Sequence, residues 1–424
     1  MNDTELYAKM LGLQAPWQVT AVDFNPLQRA VTVFVAAAQD WQWTCPHCGQ
    51  PVPRYDKRRR QWRHLDTMQF KTLLDAEVPR VQCPEHGVAQ VQVPWAEPDS
   101  GFTALFEAMV IYWLKQASTK AVAEALDLSW NAVDGIMQRA VRRGLARRAD
   151  LAPEHLSVDE TSFQKHHEYV TVVTDQQDGR VLYVADERTR ESLETFYASL
   201  SEPQRAGIRA VAMDMWPAYI NATLAYVPEA DRKIAFDKFH VAKYLGDGVD
   251  KVRREEHRRL LREGDTVLKG SKYQWLRNPG NMSRDQTNAF AALRDSHLKT
   301  ARAWAMKEMA MDIWRYQRRG WAEKAWREWL GWAQRCRLAP MQKVAWTIKQ
   351  HLWGILNAIV LGVHNGHAES TNSRIQRLKA RACGFRNRER FRNAIYFHCG
   401  GLDLMPEGAE GKWLLRIRRR VLHC

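Results

Sequence analysis

The stretch His364–Phe385, HNGHAESTNSRIQRLKARACGF, holds a single carboxylate, Glu369, followed by Arg374, Arg377, Lys379 and Arg381. Ile375, Leu378 and Ala382 recur at near-helical spacing, which predicts a helix from about His367 with that stripe packed inward. Glu369, Asn372, Ser373 and Gln376 share another face that carries no positive charge. A lone acid at the head of a basic helix has two physical explanations. It is a solvated charge favoured by the helix dipole, or it is a cation ligand flanked by side chains that grip a polyanion. The rest of the chain decides between them.

Composition favours the second. The chain has 424 residues, room for two to four domains, and a formal net charge of +15. From Arg374 onward thirteen Arg/Lys stand against four Asp/Glu, so basic charge is concentrated there. Such a chain points to a polyanionic partner, with nucleic acid the default. MNDTELYAKM at the N-terminus has no signal pattern, and no run approaches the roughly 18 apolar residues of a membrane helix. The longest apolar helical run, LWGILNAIVLGV, fits a buried core helix. The expectation is a soluble cytosolic protein with DNA in reach.

Seven Cys is an odd number, and three of them sit in Cys45-x-x-Cys48 and Cys83-x-x-His86, each pair followed by glycine, Gly49 and Gly87. Without an export signal, this spacing means metal binding rather than disulfides. Tetrahedral zinc takes four N/S ligands, and two tight turns present two each. A glycine after each pair permits the φ > 0 turn that aims backbone amides at the sulfurs. Four protein ligands leave no open position, so the site is structural. His47 and His64 are substitute ligands or bystanders. Between the knuckles, RYDKRRRQWRHL carries Arg58, Arg59 and Arg60, expected as a solvated loop or as phosphate contacts that fix position without reading sequence.

Residues 119–141, TKAVAEALDLSWNAVDGIMQRAV, predict a short helix Thr119–Leu126 with Ala121, Val122 and Ala125 inward, then a turn at Asp127–Ser129. A second helix follows, capped by Ser129, with Val133, Ile136, Met137 and Ala140 at helical spacing. That is a helix-turn-helix pattern, whose second helix would offer Trp130, Asn131, Asp134, Gln138 and Arg139 to DNA.

Elsewhere the first 97 residues alternate apolar and polar, as strands do. AEPDSG marks a switch to helical periodicity. Strands return as a meander at HLSVDETSF, HEYVTVVTD and GRVLYVADE. A helix (RESLETFYASL), a strand (IRAVAMDM), a helix (PAYINATLAY) and a strand (KIAFDKFH) follow, which suggests a mixed sheet flanked by helices. From Val241 to about Val363 the pattern is helical and holds nine of the 18 Trp. Trp321, Trp326, Trp329 and Trp332 are expected as core packing of a helical subdomain, with stacking on an unpaired base as the alternative.

Asp159 lies in the first strand of the mixed sheet and Asp214 ends IRAVAMDM. If those strands are parallel neighbours, both acids reach one end of the sheet. Two carboxylates there hold a divalent cation, and oxygen ligands suit Mg²⁺ or Mn²⁺. Two such ions about 4 Å apart activate a water or a 3′-hydroxyl and stabilise the leaving oxygen of a phosphodiester. Glu369 supplies the third acid, with Arg374, Arg377 and Arg381 flanking it on phosphates. Glu160 is an alternative to Asp159, and Asp237 is a rival third ligand. For Asp237 and His240 a structural role is the simpler expectation.

The ordered set of two knuckles, helix-turn-helix, VDETSF, AMDMWPAYI, AFDKFHV and HNGHAESTNSRIQRLKARACGFRNRERFRNAIYF resembles the DDE transposases of the bacterial ISL-three insertion-sequence family, over essentially the whole chain. The resemblance implies a ribonuclease-H-like core and a DDE triad that falls on Asp159, Asp214 and Glu369. The gaps of 55 and 155 residues between them fit a core with a long helical insertion before the last acid. His86 departs from an all-cysteine pattern, but His is an ordinary zinc ligand.

The implied activity is binding of terminal inverted repeats, then Mg²⁺- or Mn²⁺-dependent DNA cleavage and strand transfer. Arg374, Arg377, Lys379 and Arg381 would hold DNA. The implied assembly is a homodimer or higher oligomer on DNA, at the nucleoid in the cytoplasm. The expected architecture is multidomain α+β: a zinc-binding β domain (1–97), a helix-turn-helix domain (98–150), a ribonuclease-H-like α/β core (151–240 and 364–400), a helical Trp-rich insertion (241–363) and a basic tail (401–424). A non-catalytic DNA-binding repressor and a structure-specific nuclease are the alternatives.

Overall fold

The computed structural model describes residues 2–149, 151–164, 168–363 and 366–407. Two compact units emerge, Met1–Ala149 with Tyr396–Cys424, and Asp150–Ile395. Among the described residues no helix is long and apolar enough to cross a membrane. Of the stretch that opened the sequence analysis, His364 and Asn365 lie outside the described residues.

The first unit begins with α1 (Asp3–Leu11) and continues into β1 (Trp17–Asn25), β2 (Ala30–Ala37), β3 (Arg54–Thr67), β4 (Phe70–Cys83) and β5 (Gly87–Gln90). The sheet order is β1-β2-β4-β3, with β5 also paired to β4. Its core gathers Trp17, Val33, Trp62, Leu74, Val78 and Trp95.

The 34 residues between the two knuckles form the β excursion that their spacing predicts, and within it the arginine-rich segment is strand β3 rather than a solvated loop. Its cations are matched across the antiparallel ladder: Arg59 Nε donates to Asp75 at 2.7 Å, Lys57 pairs with Glu77, and Arg80 Nε reaches Asp56 at 2.6 Å. Opposite-charge cross-strand pairs stabilise a sheet, so β4 supplies the apolar register that β3 lacks. Trp62 is the one β3 side chain that is fully buried.

Three helices follow, α2 (Ala104–Gln116), α3 (Thr119–Ala125) and α4 (Trp130–Ala146). The hydroxyls of Thr103, Ser118 and Ser129 cap them, accepting from the amides of Phe106, Ala121 and Ala132. Val133, Ile136, Met137 and Ala140 are buried as expected. The inward face of α3 is Val122 and Ala123, and Ala121 and Ala125 are exposed. Toward the C-terminus the chain returns to this unit. The Arg143 guanidinium donates to the Leu404 carbonyl at 2.8 and 3.1 Å, and a Cβ on Gly144 would stand 2.7 Å from Leu402.

The second unit is built on β6 (His155–Gln164), β7 (Glu168–Asp175), β8 (Val181–Asp186), β9 (Ala210–Met213) and β10 (Ile234–Phe236), in the order β10-β9-β6-β7-β8. β6, β7 and β8 form an antiparallel meander, and β9 and β10 join in parallel. α5 (Arg190–Ala198) and α6 (Glu202–Gly207) lead to β9, and α7 (Pro217–Tyr226) and α8 (Ala230–Lys233) lead to β10. Val158 is registered with Met213, and Met213 with Phe236. Asp159, Asp214 and Asp237 each come next in the chain after one of these positions, so one register brings all three acids to one end of the sheet.

A helical segment follows: α9 (Lys238–Arg262), α10 (Lys272–Leu276), α11 (Arg284–Arg294), α12 (Lys299–Asp312), α13 (Arg319–Arg335), α14 (Ala339–Gln350) and α15 (Leu352–Leu361). Trp275, Trp326 and Trp329 are buried and Trp332 half-buried, so core packing accounts for most of the Trp stripe, while Trp321 is exposed. Leu298, which precedes α12, gives no side-chain cap, and Glu256 of α9 replaces it by accepting from the Lys299 and Thr300 amides at 2.9 and 2.7 Å. α16 (Gly366–Arg381) and α17 (Arg388–Cys399) complete the fold.

The joint between α15 and β10 matters for the site, because β10 leads directly into Asp237. Gly354 lies against the Phe236 ring, where a Cβ would approach to 2.5 Å. Three residues on, the buried Asn357 donates from Nδ2 to the carbonyls of Asp231 and Ile234 at 2.7 and 2.8 Å, and its Oδ1 accepts from Arg319. Asn357→Leu strands two carbonyls and a guanidinium. Only the bond to Ile234 is fully buried, while Asp231 and Arg319 are exposed residues that water can reach. An unsatisfied buried group costs about 1–3 kcal/mol, so denaturant unfolding of this unit should show a loss of about 2 kcal/mol. A loss under about 1 kcal/mol would mean that the joint is held by packing alone.

Candidate metal centre and active site

The two knuckles converge. Cys45 Sγ lies 3.9 Å from His86 Nδ1, Cys83 Sγ lies 3.5 Å from the same nitrogen, and Cys48 Sγ lies 3.8 Å from Cys83 Sγ. All four ligand atoms fall within 4.8 Å of one another. A tetrahedron with Zn–S bonds near 2.3 Å has edges of about 3.8 Å, so this donor set fits zinc. Gly49 and Gly87 adopt φ of 71° and 68°, the left-handed conformation the turns require.

Burial opposes the Cys45 thiolate, but the backbone amides of Cys48 and His47 and the neighbouring thiols outweigh it and bring the pKa down to about 7. His64 is not part of the cluster. Burial lowers its pKa to about 4, and its Nδ1 lies 2.9 Å from the Thr103 hydroxyl. His47 also stands outside the ligand set and packs 5.2 Å from the His86 ring.

The proposed DNA-facing residues separate into groups. Trp130 and Asn131 are exposed at the start of α4, and Arg58 is exposed on β3. Arg59 is exposed but bound to Asp75, and Arg60 donates to the Ser100 carbonyl at 3.1 Å. Arg139 is a correction: its Nε donates to the buried Glu107 at 2.8 Å, and only 17% of its side chain is exposed. A buried carboxylate on α2 requires a cation, so Arg139 turns inward rather than outward. Asp134 is likewise buried and accepts from Gln138.

In the second unit, Asp159 and Asp214 sit at the same sheet end on parallel neighbours, as the strand pattern anticipated. The Asp159 oxygens accept from the Glu160 amide at 2.8 Å and from Asn372 Nδ2 at 2.7 Å. Asp214 accepts from the Met215 amide at 2.6 Å and from Arg188 Nη2 at 3.3 Å, and His240 Nδ1 stands 3.6 Å from it. Desolvation raises the Asp159 pKa, with Asp237 and Asp214 adding to the rise. Glu160 is pushed up to about 7, first by desolvation and then by Asp159 and Asp214 against the relief from Arg188. Half-buried carboxylates whose ionised forms are mutually disfavoured are suited to a cation. Their oxygen donors match a hard divalent ion.

Helix α16 is laid along β6 by its polar face. Asn372 reaches Asp159, Gln376 Nε2 donates to Thr161 Oγ1 at 2.7 Å, and Lys379 Nζ donates to the Ser162 carbonyl at 2.9 Å. The uncharged face deduced from sequence therefore points at the acid cluster. It continues into Lys379, whose ammonium is bound to Ser162 rather than offered outward. The buried stripe is Ala368, Thr371 and Ile375 with Leu378 half-buried, while Ala382 lies beyond the helix and exposed.

Glu369 is exposed in the first turn, three residues before Asn372 and so on the same side of the helix. Its carboxylate is not drawn into a tight set with Asp159 and Asp214: among the described residues the single group of three or more ligand side chains within 4.8 Å is the cysteine–histidine one. The inward oxygens of Asp159 and Asp214 are occupied by Asn372 and Arg188. Arg377 and Arg381 are exposed and Arg374 half-buried. Arg188 was missed by the sequence reading, because nothing in ADERTRES marks which of its charges faces the sheet end.

The metal centre, the three-helix segment and the acid-bearing mixed sheet together define a metal-dependent DNA-processing protein. Residues 41–86 match the zinc-finger model of transposases IS204/IS1001/IS1096/IS1165, residues 91–141 the helix-turn-helix domain of transposase family ISL3, and residues 156–395 the DDE transposase model of the same family. The chain is 30% identical over 371 residues to the transposase for insertion sequence element IS1557 of Mycobacterium tuberculosis, covering 81% of this chain and 82% of that one. It is 29% identical over 353 residues to the transposase for IS1001 of Bordetella parapertussis, covering 82% and 86%. The chain belongs to the ISL3 family of insertion-sequence transposases.

Proposed function

We propose that this chain recognises the terminal inverted repeats of an insertion sequence and cuts and joins DNA there through Asp159, Asp214 and Glu369. The observation that carries the proposal is the parallel β6–β9 register, with Asp159 and Asp214 at one sheet end and α16 bonded to Asp159 beside Glu369. A meander extended on its first strand by two parallel strands, in the order β10-β9-β6-β7-β8, supports a ribonuclease-H-like core. In this division, 1–97 and 98–150 bind DNA, 151–240 with 364–400 is the core, 241–363 the insertion and 401–424 the tail.

Asp159, Asp214 and Glu369 would hold Mg²⁺ or Mn²⁺. Such ions, when bound, generate a nucleophile from water or a 3′-hydroxyl and stabilise the leaving oxygen. Asn372 fixes the orientation of Asp159, and the Met215 amide fixes that of Asp214. Arg58, Trp130, Asn131, Arg374, Arg377 and Arg381 are the DNA contacts we retain. Pairing two element ends implies a dimer or higher oligomer on DNA at the nucleoid.

The test places the ends flanking the gene around a marker, in cells expressing wild type, Asp214→Asn or Glu369→Gln. Excision and re-insertion are expected with wild type alone. Protected ends without movement would favour a DNA-binding repressor, and cutting without joining a nuclease.

A further inference from the structure

Arg188 stands where no sequence motif placed a functional group. It follows Glu187, whose φ of 70° is a left-handed conformation in a residue with a side chain. That turn is tied down: the Glu187 amide donates to Tyr169 O at 3.1 Å, and its carbonyl accepts from Thr171 Oγ1 at 2.6 Å. The Arg188 carbonyl accepts from Trp216 Nε1 at 3.3 Å, and its guanidinium lies 4.1 Å over the Trp216 ring. A constrained backbone and an aromatic face thus aim one cation at the acid cluster.

What it makes there is poorly finished. Nε stands 2.8 Å from Glu160 Oε2, yet both atoms are buried and neither has a hydrogen-bond partner among the described residues, so the contact is Coulombic without alignment. The bond to Asp214 is long, at 3.3 Å. A structural Arg–carboxylate pair has at least one aligned short bond, as Arg59 Nε has to Asp75 at 2.7 Å, and is frequently two-pronged. This one has the charge of such a pair and little of its directionality.

We propose that Arg188 is a displaceable counter-cation: it holds Glu160 and Asp214 together when no divalent ion is bound, and competes with that ion for Asp214. The inference rests on the proposed metal site. It makes Arg188 a positioning residue that sets the ion concentration at which the site fills.

The test is Mn²⁺ binding to the zinc-loaded full-length protein, followed by the electron paramagnetic resonance of free Mn²⁺. Asp214→Asn is expected to lose the bound ion. Arg188→Gln is expected to bind Mn²⁺ on the order of tenfold more tightly than wild type, within the usual 5- to 150-fold range for coupled sites. Trp216→Leu, which removes the stacking surface, should move affinity the same way by less, and it decides the matter if Arg188→Gln does not fold. Unchanged or weaker binding in these variants, with wild type binding and Asp214→Asn not, overturns the inference and leaves the metal site standing. Absence of binding in wild type overturns both.

Discussion

Removing zinc, by a strong chelator or by Cys83→Ser, is expected to release the first knuckle from the sheet and abolish binding to element ends. Residues 38–53 hold little regular structure beyond the Thr44–Pro51 bridge and the turn that brings Gly49 N to Cys45 O at 2.9 Å. Beyond one backbone bond, from the Gln82 amide to the Pro53 carbonyl at 3.1 Å, this segment meets β4 through the convergence of Cys45 and Cys48 on Cys83 and His86. Structural zinc contributes about 10–16 kcal/mol in small zinc modules, comparable to a whole domain's stability of about 5–15 kcal/mol. Trp43 and Val52, which enter the core beside Cys45, leave with it.

Limited proteolysis should therefore open a new site within 38–53, while cleavage in the second unit stays slow. Cysteine ligands must be deprotonated, so protons compete with zinc. Cys48 is raised above the ordinary thiol value and Cys45 lowered to about 7, so the affinity should already weaken as pH falls through the thiol range and more steeply below about 7. Unchanged proteolysis and end binding after metal removal would leave the four side chains without a structural task.

The knuckles were legible because their chemistry is local: a fixed spacing, a left-handed glycine after each pair, and nothing distant required. The β6–β9 register was legible for a related reason, since two apolar strands joined through helices pair in parallel. Strand β3 was legible only as part of a β excursion between the knuckles, and its register was not. Its alternation is hidden under cations whose partners, Asp75 for Arg59 and Glu77 for Lys57, lie on β4 and are not sequence neighbours. Arg139 misled for the same reason. Helical position alone put it on the outer face, and the buried Glu107, 32 residues earlier, turned it inward. Charge at a position can be read from sequence, whereas its partner is a property of the fold. Arg188 and Glu160 belong to that second category, and so does the bond from Asn372 to Asp159.

That last bond separates two sizes of effect at the acid cluster. Asp214→Asn removes a full negative charge from a half-buried position on the sheet, and Glu369→Gln removes the acid nearest to it on α16. Each should lower Mg²⁺-dependent cleavage of a DNA end by about a thousandfold, the upper range for losing one preorganised electrostatic partner. Both variants should still bind that DNA end, since the zinc module and helix-turn-helix belong to a different unit of the chain.

Asn372→Ala leaves every acid in place and frees Asp159 to rotate. Loss of a group that only orients a ligand typically costs 10- to 100-fold, so cleavage should fall by about that much and recover in part at raised Mg²⁺. Initial cleavage rates on an end-containing oligonucleotide, measured across a Mg²⁺ series, separate the cases. Normal rates for Glu369→Gln would remove it from the triad and leave Asp237 as the third acid. A thousandfold loss for Asn372→Ala that Mg²⁺ cannot restore would mean that Asn372 contacts the reacting DNA directly.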